Sequence, residues 1–222
     1  METLHTVSVV QALASSLRSR VLDGLIEPGT SLAENEVAAE FSVSRPTARA
    51  AITMLVGEGL LRRRAHRSAR VPVLSRADVE DLFLVRIPLE IGVVRLVARD
   101  RILSADAQNA IDALASVPLD APDSVFVESD LDFHRALVRA VDSPRLTRLY
   151  SALSGEIHLS MVQSRFVLGQ DRIAGEHRAI LEALRANDAD AAETEMRMHL
   201  EGACEALARK LDAVSAAAAE AS

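Results

Sequence analysis

Tryptophan is absent from the 222 residues, tyrosine occurs once, and aromatic residues make up 3% of the chain. A β-sandwich or barrel leans on aromatic and β-branched strand residues, so this scarcity argues against both. The one cysteine, Cys204, has no internal partner for a disulfide. The first residues have neither a basic start nor the clean apolar core of an export signal, and together these absences point to the cytoplasm. No stretch approaches the ~18 continuous apolar residues of a membrane span, because polar or charged residues interrupt every candidate, and no membrane role is expected. Glycine and proline number 9 and 7, too few for a collagen-like or low-complexity chain. What remains is 49% apolar and 26% charged and rich in alanine and leucine, the composition of a globular helical protein. Its length suits one large domain or two small ones, each with a core.

The formal net charge of -7 taken alone speaks against a nucleic-acid binder. The charge is unevenly spread, however. Residues 1–75 hold nine Arg against seven Asp and Glu, and the remainder holds 16 basic against 25 acidic residues. Five of those nine, Arg62, Arg63, Arg64, Arg67 and Arg70, fall in one stretch free of acids. An isolated basic run is by default a solvated loop, and its neighbours decide whether it is more.

Val7, Val10, Leu13, Leu17, Val21 and Leu25 recur at steps of three and four, the stripe of an amphipathic helix ending at the Glu27-Pro28-Gly29 turn. After Ser31 a short helical stretch reaches Phe41, and Ser42 and Val43 form a tight connection. Ser44 then caps a second helix that opens on Arg45-Pro46 and ends near Gly57 and Gly59. Two short helices across such a turn form a helix-turn-helix. Residues 60–64 and 69–73 are expected to pair as a small hairpin, a wing carrying the five arginines. Ser44, Arg45, Thr47 and Arg49 open the second helix, where a recognition helix meets base edges and phosphates in a major groove. Arg64, His66 and Arg67 on the wing are placed to neutralise backbone phosphates.

The run L-x-E-N-E-V-A-A-E-F-S-V-S-R-P-T-A-R-A-A-I-x-x-L-x-x-E-G-L-L at 32–61 resembles the winged-helix domain of GntR-type bacterial regulators. The resemblance implies that Arg45, Thr47 and Arg49 contact DNA, that the wing near His66 reads the minor groove, and that a homodimer binds a palindromic double-stranded operator. Asn35 stands where many members carry Arg, and Ala65-His66-Arg67-Ser68 replaces their glycine-rich wing tip.

From Ser75 onward the chain reads as about six helices without a convincing strand. Their boundaries are marked by Ser104, the Pro118 to Pro122 turn, Ser143-Pro144 and Asn187-Asp188. The expected fold is mainly α: a winged helix-turn-helix over 1–74, an all-helical effector-binding and dimerisation bundle over 75–215, and a frayed helix end over 216–222. Arg86 and Glu90, one turn apart, read most simply as a surface pair. Val127, Asp130, His134, Leu137 and Val141 follow helical steps, as do Ile173, His177, Ile180 and Leu184, and Met196, His199, Ala203 and Ala206. Asp130, His134, His177 and His199 therefore face the interior, where unpaired polar groups cost several kcal/mol. They are either a hydrogen-bonded polar core or a metal site. Three imidazoles and a carboxylate drawn from facing helices suit a divalent Zn, Ni, Mn or Fe ion.

S-D-L-D-F-H-R-A-L at 129–137 and E-H-R-A-I-L-E-A-L-R-A-N-D-A-D-A-A-E-T-E-M-R-M-H-L at 176–200 resemble the FCD ligand-binding domain of the FadR-like GntR subgroup. The resemblance implies that Asp130, His134, His177 and His199 hold a metal that helps bind a small organic acid, with Arg86 a candidate for the effector carboxylate and Arg172 ranking behind it. The leading reading is a DNA-binding repressor whose operator affinity is modulated by such a small-molecule carboxylate, and not an enzyme. One alternative makes the metal itself the signal. Another is a metal-dependent hydrolase, for which no general base is evident, since Asp132 and Glu176 face away from the four by helical periodicity.

Overall fold

The computed structural model describes residues 8–65, 67–118, 120–164 and 169–220, with only the backbone given for 218–220. The chain divides into two compact units, Met1–Val73 and Leu74–Ser222.

In the first unit α1 spans Val9–Leu22 and starts at a capping box in which Ser8 and Gln11 bond each other's backbone. It buries Leu13, Ala14, Leu17, Val21 and Leu22. The stripe read through to Leu25 stops earlier, because Gly24 takes a left-handed φ of 74° and leaves Leu25 71% exposed. The expected Val7 lies outside the described residues. Next come β1 (Ser31–Leu32) and α2 (Glu34–Glu40). A turn through Ser42, itself at φ 52°, leads to α3 (Arg45–Gly57). Ser44 caps α3 by accepting from the Thr47 N–H at 3.2 Å, and Pro46 sits in the first turn. Ala48, Ala51, Ile52 and Leu55 bury the inner face of α3, and Gly59 at φ 76° ends it.

The wing differs from the expected hairpin. The strand β2 (Ala69–Arg70) pairs antiparallel with β1, Ser31 opposite Arg70 and Leu32 opposite Ala69. Its link to the 60–64 segment is a single bridge, Arg62 to Arg70, with N–H to O distances of 2.8 and 2.9 Å in the two directions. Residue 70 thus sits between two partners, one of them the start of what reads as helix after Ser31. Two-residue strands carry no period-two pattern from which pairing can be read.

The described residues of the second unit form six helices: α4 (Arg76–Asp100), α5 (Ala105–Ala115), α6 (Asp123–Ala140), α7 (Pro144–Gln163), α8 (Gln170–Arg185) and α9 (Ala189–Glu220). Ser75, Ser104 and Ser143 cap α4, α5 and α7 through backbone N–H groups two or three residues on. α4 lies along α9, and α6 packs against α5, α7, α4 and α8. The core between them includes Phe83, Val94, Leu131, Phe133, Ile180 and Leu200. α9 stays helical through Glu220, into the segment read as a frayed end. Among the described residues no helix is long and apolar enough to cross a membrane.

Candidate metal centre and DNA-contact face

Asp130 and His134 lie one turn apart on α6, His177 on α8 and His199 on α9. All four are buried, and their ligand atoms lie within 4.8 Å of one another. The helical repeat that buries Val127, Leu131 and Leu137 turns Asp130 and His134 to the same interior. His134 Nδ1 lies 2.5 Å from Glu90 Oε2 on α4, and His199 Nδ1 lies 2.8 Å from Glu176 Oε2 on α8. A neutral imidazole has one N–H. With that N–H donated to a carboxylate at Nδ1, each Nε2 presents a lone pair.

The two Nε2 atoms stand 3.3 Å apart, and with both N–H groups at Nδ1 their lone pairs would face each other there, an arrangement that a cation between them would relieve. His177 stacks on Phe133 with ring centroids 4.1 Å apart, and neither of its nitrogens has a hydrogen-bond partner. Its Nε2 is 3.4 Å from Asp130 Oδ1, which also lacks a hydrogen bond. Burial pushes the pKa of His134 down and that of His177 well down, which favours the neutral, ligating form of each. Three imidazoles and a carboxylate with orphaned atoms fit a transition-metal ion, whereas a purely hydrogen-bonded core leaves those atoms unsatisfied.

Arg86 and Glu90 are not a surface pair: both side chains are 2% exposed, with Nε 2.6 Å from Oε1. α4 is covered by α6, α7, α8 and α9, so one turn of spacing here buries the pair. Burial raises the Glu90 pKa, but the Arg86 guanidinium and His134 outweigh it and bring the carboxyl down to about 2. Arg86 Nη2 and the Tyr150 hydroxyl, both buried, have no hydrogen-bond partner. Arg172, the second arginine singled out for a carboxylate, is instead half exposed and bonds Glu176 Oε1 at 2.7 Å.

On the first unit, Ser44 Oγ is 2.8 Å from Thr47 Oγ1. Arg45 and Arg49, on successive turns of α3 and each 61% exposed, reach back to Glu34 at the start of α2. Arg49 Nε lies 3.0 and 3.1 Å from the two carboxylate oxygens, Arg45 Nε lies 3.4 Å from one of them, and Arg63 Nη2 is 3.8 Å away. The Arg49 hydrogen bond holds the Glu34 carboxyl below the usual range, against the opposing pull of desolvation. Glu34, Asn35, Arg45, Arg49, Arg63 and Arg67 line one concavity. Arg64 and Arg67 are exposed, and the Arg67 N–H closes a turn onto the Arg64 carbonyl at 3.1 Å. His66 lies outside the described residues.

Residues 81–202 match the FCD domain family, and residues 9–71 match the family described as bacterial regulatory proteins, gntR family. The chain belongs to the GntR family. Similar to this GntR regulator is the gluconate operon transcriptional repressor of Bacillus subtilis, 31% identical over 83% of this chain and 79% of that protein. A protein of Paenarthrobacter nicotinovorans named "Probable D-xylose utilization operon transcriptional repressor" is 28% identical over 96% of this chain and 95% of its own. A GntR transcriptional regulator from Rhodococcus sp. RHA1, solved by crystallography, superposes with a TM-score of 0.74 at 26% identity, covering 89% of this chain and 96% of that one. The chain thus joins a GntR-type head to an FCD domain, and these relatives are named as transcriptional repressors or regulators.

The structure of the regulator brings Asp130, His134, His177 and His199 into one cluster and places Arg86 beside it, while Arg45, Thr47 and Arg49 share the exposed opening of α3. Sequence reasoning missed Glu90, Glu176 and Tyr150 in the bundle, and Glu34 in the head. Glu176 faces away from His177, as periodicity dictates, yet reaches His199 on the neighbouring helix. Glu90 stands at the step from Arg86 that marks an i,i+4 pair, and its second oxygen carries the contact to His134 that no spacing announces.

Proposed function

We propose that this GntR regulator is a cytoplasmic transcriptional repressor that binds a palindromic double-stranded operator as a homodimer. Its operator affinity is modulated by a small organic acid bound at a metal site formed by Asp130, His134, His177 and His199. The observation that carries this reading is the pair of Nε2 atoms 3.3 Å apart, each on a ring whose Nδ1 meets a carboxylate oxygen. A divalent Zn, Ni, Mn or Fe ion bound there supplies positive charge for a carboxylate. Arg86 Nη2 and the Tyr150 hydroxyl, buried donors without partners, give the same acid hydrogen bonds that the protein alone leaves unmade. The name of one relative, a gluconate operon repressor, supports a polyhydroxy acid, and gluconate is the first probe.

In the head, Ser44, Arg45, Thr47 and Arg49 contact the major groove, and Arg64, His66 and Arg67 the backbone or minor groove. A hydrolase has little support: Glu176 is bound by Arg172 and His199, and Asp132 by Arg135, so neither is a free base. The test is a duplex selected from a random pool, titrated with metal-loaded and metal-stripped protein with and without gluconate and other small carboxylates. The reading expects an acid that changes affinity severalfold for the loaded protein alone. An acid acting equally on stripped protein, or no selected duplex at all, contradicts it.

A further inference from the structure

Two chains of contacts with the same chemistry converge on the four-residue cluster. In one, Arg86 Nε bonds Glu90 Oε1 at 2.6 Å and Glu90 Oε2 meets His134 Nδ1 at 2.5 Å. In the other, Arg172 Nε bonds Glu176 Oε1 at 2.7 Å and Glu176 Oε2 meets His199 Nδ1 at 2.8 Å. Each is an i,i+4 arginine and glutamate on one helix reaching a histidine on another, and each uses one carboxylate oxygen per partner. The chains end on the two Nε2 atoms that stand 3.3 Å apart. They differ in surroundings: Arg86 and Glu90 are 2% exposed, whereas Arg172 and Glu176 are 56% and 27% exposed. His177 has no such partner and is set by its stacking on Phe133.

A carboxylate at Nδ1 does two things to an imidazole. It fixes the tautomer so that the lone pair lies at Nε2, and it makes that nitrogen a stronger donor to a cation. An arginine on the far oxygen keeps the carboxylate from rotating, and in the buried chain it also balances a charge that could not stay there alone. Resting on the metal reading above, we propose that Glu90 and Glu176 are positioning residues for a bound divalent transition metal, each held by its own arginine. The inner chain is buried, and the outer one is partly open to solvent. Neither glutamate is among the ligand group, and both act through the ring they hold.

The protein supplies its own control. Glu128 Oε2 lies 3.2 Å from His158 Nδ1, the same pairing on a histidine that is not in the cluster. The experiment titrates Zn2+ into intact wild type, Glu90→Gln, Glu176→Gln and Glu128→Gln against a chromophoric chelator, with the Co2+ absorption band recorded as a signature of the coordination sphere. Glu90→Gln and Glu176→Gln are each expected to weaken Zn2+ binding about 10–100-fold and to shift the Co2+ band, while Glu128→Gln leaves both within about twofold of wild type. If Glu90→Gln does not fold, because Arg86 is left without its partner, Glu176→Gln, at a less buried position, decides alone. Wild type that binds Zn2+ together with Glu176→Gln of equal affinity and spectrum overturns the positioning role and leaves the metal site standing, as does an equal loss in Glu128→Gln. Wild type that binds no metal overturns both.

Discussion

Glu34 shows how one residue shapes the proposed DNA-contact face. Its carboxylate is shared by Arg49 and Arg45 through their Nε atoms, which fixes both side chains and partly cancels their charge. An arginine that reads guanine needs orientation, and one that only binds phosphate does not. Glu34→Gln is therefore expected to bind unselected duplex DNA more tightly, with the dependence of log K on log salt steeper by about 1, and to discriminate less between duplexes. Weaker binding with an unchanged slope, measured by fluorescence anisotropy across salt, contradicts this. Much of the four-residue cluster was legible at the same scale, since Asp130, His134, His177 and His199 each interrupt an apolar stripe at helical steps. Glu90, Glu176 and Tyr150 were not, because what defines them is a partner on another helix, and spacing within one helix carries no information about it.

At the scale of elements, caps were the readable signals. Ser44, Ser104 and Ser143 stand before their helices and bond the backbone there, since a short hydroxyl side chain satisfies an N–H that the helix leaves unpaired. The strands of the wing were not readable, because a two-residue strand has no period and residue 70 pairs with both Ser31 and Arg62, which are 31 residues apart in the sequence. Caps also divide fold from function. Ser44→Ala is expected to cost about 1 kcal/mol and to weaken DNA binding, because Ser44 also holds Thr47 at the proposed contact face. Ser104→Ala, capping α5 in the bundle, is expected to cost a similar amount in thermal unfolding with DNA affinity unchanged. Equal losses of DNA affinity in both variants would show that Ser44 acts through stability alone.

At the scale of the molecule, the polarised charge of the sequence maps onto a division of labour. The unit with the arginine-rich wing carries the helix-turn-helix, and the acidic unit carries a helical bundle closed around buried histidines. Six helices contribute to that bundle, and the four candidate ligands come from three of them, so a metal bound there ties α6, α8 and α9 together and its binding energy adds to the stability of the fold. The account rests on that ion. The most direct measurement is elemental analysis by mass spectrometry of the purified protein beside His134→Ala and His177→Ala, without added metal or chelator. The account predicts close to one transition-metal ion per chain in wild type and its loss in both variants, whereas a wild type that carries no metal even after reconstitution would contradict it.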